Sequence, residues 1–346
     1  MSLTQLLGIT LPLVQAPMAG VQGSALALEV CRAGGLGSLP CAMLSPDALR
    51  AELETLKSQS AGPWNVNFFC HTPPEPDAGR EAGWREALAP YYAEFDIDPA
   101  GIQAGAGRRP FDADTLELLR EFEPPVVSFH FGLPAPELLE GVKSWGAKVM
   151  STATTVAEAR WLEANGADVI IAQGLEAGGH RGMFLSDDVT TQVGLFALLP
   201  QMVEAVQVPV VAAGGIADAQ GVAAAVALGA AGVQIGTAYL LCPEATTSQV
   251  HRTALQSEAA QHTALTNLFS GRPARGIVNR VIRELGPISA RAPAFPLATT
   301  AITPLRSAAE KRGSGDFSPL WAGQNVQGCR AMPAYQLTSE LAIGLA

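Results

Sequence analysis

The stretch with the most chemistry in it is Asp168–Gly182, DVIIAQGLEAGGHRG. A short apolar run, Val169–Ala172, ends in a glycine-rich loop that carries one histidine, His180. Gly174, Gly178, Gly179 and Gly182 allow the loop backbone to approach a ligand closely. A histidine titrates near neutrality, which suits abstraction of a proton from an acidic carbon. Three roles are open to His180: ordinary loop hydrogen bonding, metal ligation, or general base. Ligation needs partners, and His71, His130, His251 and His262 stand in no close pattern with carboxylates, so no metal is expected. His130, in SFHFG, ends another apolar run on the same side; it is a second candidate for substrate contact, with packing or support of the site as its plainer role.

Two glycine turns, AAGGI at Ala212–Ile216 and QIGT at Gln234–Thr237, end two later apolar runs. Such a pair can hold a phosphate on backbone N–H groups, because glycine removes the Cβ that would block approach, and Thr237 adds a hydroxyl donor. A tight strand-to-helix turn is the bland alternative for each alone. No GxSxG elbow, Walker A loop or zincin helix is present. With no nucleophile in a recognisable setting, a cofactor is expected to carry the hard step.

The elements that must position these residues read as an alternation. Leu11–Gln15 is a strand ending in Ala16, Pro17, Met18, Ala19 and Gly20, and Pro suits a strand's end rather than its middle. Helix Ser24–Ala33 and strand Leu36–Leu39 follow. Ser45 caps a helix with Pro46 at its first position and Asp47 in its first turn. In strand Asn65–Phe69, Asn65 and Asn67 share a face that would point inward or toward a ligand. His71–Pro110 breaks the rhythm with clustered prolines, Tyr91, Tyr92 and a flexible run Gly101–Gly107, and reads as an insertion over the mouth, helical around Arg80–Phe95. Its GAG at Gly105–Gly107 lacks the third glycine and the preceding strand of a dinucleotide fingerprint. Strands are then expected at Val126–Phe129, Ala147–Met150, Val169–Ala172, Pro209–Ala213 and Gly232–Ile235, with helices between them.

About eight strand–helix units over roughly 240 residues match a (β/α)8 TIM barrel, with a doubly wound sheet as the alternative. The strands are apolar on both faces, as in a sheet buried under crossover helices. The division expected is a barrel over 1–241, with the insertion at about 71–110, and a mainly helical substrate cap and C-terminal segment over 242–346. That segment carries the basic stretch Ser270–Arg275 and helices near Thr246–Ser257 and Leu305–Lys311, then a terminal helix.

The net charge of −10 argues against nucleic acid as the main partner, since phosphate backbones need clustered Lys and Arg. Five scattered cysteines with no CxxC pair argue against a disulfide scaffold or a structural zinc. No apolar run reaches about 18 residues and no signal peptide is evident, so a cytoplasmic protein without a membrane partner is expected, as monomer or homodimer.

QAPM at Gln15–Met18, SFHFG at Ser128–Gly132, QGLEAGGHRG at Gln173–Gly182, AAGGI and QIGT together resemble the signature blocks of the FMN-dependent nitronate monooxygenases, formerly called 2-nitropropane dioxygenases, and specifically their class I branch. The blocks run from about Leu7 to Arg275 in the family's order. The resemblance implies that Ala16, Pro17 and Met18 contact the flavin ring. Asn67 and Gln173 would hydrogen-bond the ring edge or ribityl chain, and Gly178 and Gly179 would let the loop lie against the flavin. Gly214, Gly215, Gln234, Gly236 and Thr237 would hold the phosphate. His180 would be the base toward neutral nitroalkanes and would steady the anionic nitronate. The activity implied is oxidation of alkyl nitronates, such as propionate 3-nitronate, with O2 to a carbonyl compound and nitrite, through one-electron flavin semiquinone chemistry and without NAD(P)H. One stretch departs from the pattern: class I members tend to carry tyrosines and a lysine in the cap near the substrate, and Pro296–Arg306 (PLATTAITPLR) has none. Two alternatives stay open, an NAD(P)H-dependent flavin reductase of quinones or enoyl thioesters and a non-catalytic flavin-binding protein.

Overall fold

A computed structural model describes residues 1–103 and 107–345. Part of the expected flexible run 101–107, and of its GAG, therefore lies outside the described residues. Eight parallel strands form the central sheet: β1 (Leu13–Gln15), β2 (Gly37–Pro40), β3 (Trp64–Phe69), β4 (Val126–His130), β5 (Lys148–Ala153), β6 (Val169–Gln173), β8 (Val210–Ala213) and β9 (Gly232–Ile235). The two-residue strand β7 (Gly179–His180) stands outside it.

Neighbours run β1-β9-β8-β6-β5-β4-β3-β2, so chain order is kept around a circle. At the seam Val14 bridges Leu36, with Gln15 N donating to Leu36 O at 2.9 Å and Leu36 N to Leu13 O at 2.8 Å. This closure makes the fold a (β/α)8 TIM barrel and removes the doubly wound alternative, which would leave two open edges.

The apolar strands are short because each is buried on both faces; every residue of β6 and of β8 is buried. Inside, Val14, Leu36, Val126, Met150, Val169 and Val211 pack together at the strands' N-terminal ends. Leu3 and Leu7, from a helix Leu3–Leu7 that the hydrophobic pattern did not announce, close that floor. The helix has a capping box, Ser2 with Gln5, which stabilises a segment too short to persist alone. Outside, helices start on side-chain caps: Ser45 for Pro46–Gln59, Asp112 for Ala113–Phe122, Thr155 for Val156–Ala164 and Asp218 for Ala219–Ala227.

Above the mouth lies a separate apolar core. The insertion helix Ala78–Glu94 packs on helix Ala298–Lys311 through Trp84, Leu88, Tyr92, Ile302 and Leu305. Trp84 Nε1 donates to Ala298 O at 3.4 Å and Tyr92 OH to Ala301 O at 2.6 Å. The second helix begins seven residues before the expected start at Leu305, with Pro304 inside it. Proline costs a helix one hydrogen bond and a clash, but burial of Ala298, Ala301 and Ile302 holds the earlier turns in place.

The cap is also not simply helical. β10 (Thr263–Thr266) and β11 (Ala274–Ile277) form an antiparallel pair, and β11 adds β7 on its other edge, with Ala274 opposite His180 and Arg275 opposite Gly179. The terminal helix Ala334–Ala342 leaves the cap and packs Leu337 and Leu341 on the barrel wall with Leu26 and Val30. No helix among the described residues is long and apolar enough to cross a membrane.

Candidate active site

All eight strands point their C-terminal ends the same way, so loops distant in sequence share one rim. Every residue assigned above to the ring, the ribityl chain or the phosphate borders one cavity there: Ala16, Pro17, Met18, Asn67, Gln173, Gly178, Gly179, Gly214, Gly215, Gln234, Gly236 and Thr237. His130 and His180 border it too. The two glycine turns are adjacent because β8 and β9 pair directly.

His180 is held by its backbone. Its carbonyl accepts from Gln173 Nε2 at 2.9 Å and lies 3.2 Å from His130 Nε2. Its residue pairs with Ala274 in β11. A carbonyl can only accept, so His130 carries its proton on Nε2, and its Nδ1, 3.1 Å from Thr152 Oγ1, accepts from that hydroxyl. Both nitrogens of His130 are thus engaged, and His130 acts here by fixing His180. The His180 ring packs among Phe69, Phe131, Phe295 and Trp321. Its Nε2 sits 2.8 Å from Ser270 Oγ, and among the described residues Nδ1 makes no hydrogen bond. Burial, aided by the positive charges of Arg108 and Arg272, pushes its pKa well below the ordinary 6.5, so the ring is neutral at physiological pH.

The loop around His180 hangs on a residue that the sequence reading left without a role. Arg181 is fully buried and donates to Gly174 O at 2.6 Å, Gln173 O at 2.7 Å and Gln192 Oε1 at 2.9 Å. It folds the loop back on the end of β6. Gln173 completes the turn: its Oε1 accepts from Gly182 N at 2.8 Å while its amide holds His180. Glu176 accepts from Leu195 N at 2.9 Å, tying the same loop to the helix that starts there. Asn67 and Asn65 do share the inward face; both donate to Ser128 Oγ at 2.9 Å, and of the two only Asn67 borders the cavity.

The glycines divide into two kinds. Gly214 and Gly215, at φ of 121° and 71°, need a backbone that other residues rarely adopt. Gly178 is required by another segment of this chain: a Cβ there would fall 2.6 Å from Ala322 C and Gly323 N. The segment Trp321–Asn325 crosses the two glycine turns. Gly323 N donates to Thr237 Oγ1 at 3.0 Å, and Asn325 Nδ2 to Gly215 O at 3.1 Å. Nothing local in the sequence marks this strap, whose contacts lie 86 and 110 residues away.

The full length of the chain can now be compared with known proteins. Residues 1–344 match the family model for nitronate monooxygenase. The chain belongs to the nitronate monooxygenase family. It is 41% identical over 341 residues to the nitronate monooxygenase of Pseudomonas aeruginosa, covering 98% of this chain and 97% of that protein. The structure of a nitroalkane oxidase from Streptomyces ansochromogenes superposes with a TM-score of 0.89 at 41% identity, covering 100% of this chain and 98% of that one. FabK from Thermotoga maritima superposes at 0.72 with 27% identity, covering 99% and 96%. The family is one of flavin-dependent oxidoreductases, and oxidation of nitronates is the activity that the family and the nitroalkane-oxidase neighbour support.

The cavity suits such a group. Gln234 Oε1, at the phosphate turns, is buried without a partner in the protein, an acceptor waiting for a donor. No Asp or Glu borders the cavity among the described residues, whereas Arg108 does. A chain of net charge −10 thus keeps carboxylates away from the one place where a phosphate and an anionic substrate would sit.

Proposed function

We propose that this protein is an FMN-dependent nitronate monooxygenase that oxidises alkyl nitronates, propionate 3-nitronate among them, with O2 to a carbonyl compound and nitrite. The observation that carries this reading is a neutral imidazole, His180, whose Nδ1 makes no hydrogen bond among the described residues, in a cavity that no described carboxylate borders and that two paired glycine turns also line. Gly214, Gly215, Gly236 and Thr237 would hold the phosphate, Asn67 and Gln234 the polar edge or ribityl chain, and Ala16–Met18 the ring. Trp321–Asn325 crosses the phosphate end, which favours a terminal phosphate over a pyrophosphate and hence FMN. Bound FMN would supply the electron acceptor, taking electrons singly from the substrate and passing them to O2.

The protein's own work is binding and proton handling. Phe69, Phe131, Phe295 and Trp321 around the imidazole keep water away from it. His180 takes the proton from the carbon bearing the nitro group, at the ring nitrogen not engaged by Ser270. The nitronate so formed is anionic, and the guanidinium groups of Arg108 and Arg272 that disfavour an imidazolium favour that anion. A substrate arriving already as the nitronate skips the proton step and uses only the anion binding.

Purified protein should be yellow, and mass spectrometry of the released flavin should give FMN. Anaerobic addition of a nitronate should change the flavin spectrum, and NADH should not; in air the same nitronate should drive O2 uptake. Flavin-loaded protein that ignores every alkyl nitronate would reject the reading. Bleaching by NADH instead would favour the NAD(P)H-dependent flavin reductase alternative.

A further inference from the structure

Arg108 differs from Arg181 and Arg275, which are spent on partners within the protein. Arg181 spends its guanidinium on three acceptors within the loop, and Arg275 donates to Leu175 O and Thr263 O. Arg108 forms no ion pair among the described residues, and its one hydrogen bond there is a long one, Nη1 to Thr299 Oγ1 at 3.4 Å. It is nevertheless largely withdrawn from solvent, at a cost that burial imposes on its charge. Its Cζ lies 5.5 Å from the Phe295 ring centroid, and that same ring lies 5.4 Å from the His180 ring. The cation and the imidazole therefore pack on the same aromatic side chain and border the same cavity.

A second hollow lies outside the first and shares Met43 and Arg108 with it. Its walls include Ile97, Ile102, Thr299, Thr300 and Thr303. The cap helix contributes small hydroxylated side chains there, which leave the passage open. The groove's Asp98 is spent on Ala100 N at 2.9 Å. Arg108 therefore stands where the two hollows meet.

A half-buried guanidinium without an acidic partner is stabilised when an anion completes it. Its planar fork matches a carboxylate with two parallel hydrogen bonds. We propose that Arg108 is the specificity-determining residue of this site, receiving a carboxylate carried at the far end of the nitronate's carbon chain. The inference rests on the nitronate reading and adds the residue that would hold the carboxylate of propionate 3-nitronate, a contact that uncharged alkyl nitronates lack.

The test compares holoenzyme and two variants, Arg108→Gln and Arg108→Lys. The quantity read is the ratio of kcat/KM for propionate 3-nitronate to that for ethyl nitronate, from O2 uptake. Loss of a charge-assisted pair should lower that ratio about 10- to 100-fold in Arg108→Gln, mostly through KM, and Arg108→Lys should restore part of it. With a neutral nitroalkane, removal of the cation should also move the acid limb of the pH profile upward, since Arg108 depresses His180; a scaffolding role would leave it in place. A second readout needs no turnover: ligand-observed NMR should show glutarate binding to the holoenzyme and not to Arg108→Gln. An unchanged ratio, or equal glutarate binding by both proteins, overturns the proposal. If no nitronate is turned over by any form, the underlying reading fails, and the glutarate comparison still decides whether Arg108 is a carboxylate site.

Discussion

Acid should unfold this protein through its histidines. Of the five in the chain, His71 and His251 are buried, and His130 and His180 are half-buried in the cavity wall. Burial holds His71 and His251 down to about 4 and His130 down to about 3, and it pushes His180 well below 6.5. The contacts give the same direction. Both nitrogens of His130 are fixed in a neutral pattern, and both nitrogens of His71 are buried without a partner, as is His251 Nε2. In the unfolded chain all four titrate at about 6.5. Between that value and their folded values the unfolded state binds more protons, so stability is present above pH 6.5 and is lost as the pH falls toward 4. At pH 5 a histidine of unfolded pKa 6.5 and folded pKa 4 has lost about 2 kcal/mol, so His71, His130 and His251 together remove about 6 kcal/mol, and His180 adds to the loss in the same direction. A domain of ordinary stability has about 5–15 kcal/mol in all. Urea unfolding of the flavin-free protein followed from pH 8 to pH 5 should show that loss, with about four protons taken up on unfolding at the acid end. His251→Gln should lower the proton uptake by about one. A stability that stays level from pH 8 to pH 5 would refute the reasoning.

Four further outcomes follow from the site. His180→Gln should keep the flavin but lose about 10²- to 10⁴-fold in kcat/KM for neutral nitroalkanes, with a smaller loss for preformed nitronates, read by O2 uptake. The wild-type profile for a neutral nitroalkane should stay level downward through pH 6, because the base form persists below the ordinary histidine value. Arg181→Met should change unfolding stability by less than about 2 kcal/mol, because removing a cation that burial has pushed down to about 10 offsets the loss of donors to Gln173 O and Gln192 Oε1; flavin affinity, measured by fluorescence titration, should fall all the same as the loop loosens. Gly178→Ala should weaken flavin binding at least tenfold by pushing the strap from the phosphate turns, a loss of about 1.4 kcal/mol or more.

The barrel was legible because its strands repeat one simple physical demand. Each is a short apolar run, buried on both faces and followed by glycine or proline. Ser45-Pro46-Asp47 could be read as a helix start because it satisfies free N–H groups locally. The gathering of Ala16, Gln173, Gly214 and Thr237 at one cavity then follows from strand direction alone. What could not be read was decided by distant partners. Two residues, Gly179 and His180, become a strand only because Ala274 and Arg275 lie beside them. Pro304 sits inside a helix because the insertion's Trp84 and Tyr92 take up the exposed face. Arg181 reads as one more charge in a loop until its three acceptors are placed around it. Gly178 reads as room for a ligand, and the room it leaves is occupied by Ala322 and Gly323.

The pairing of β7 with β11 sews the imidazole-bearing loop to the roof. An engineer who cuts this chain after Leu241 and grafts on a relative's C-terminal half must therefore supply a matching edge for residues 179 and 180. Without it the transplanted roof arrives with a loose hem, and the His180 ring loses its angle even though every residue of the barrel is intact.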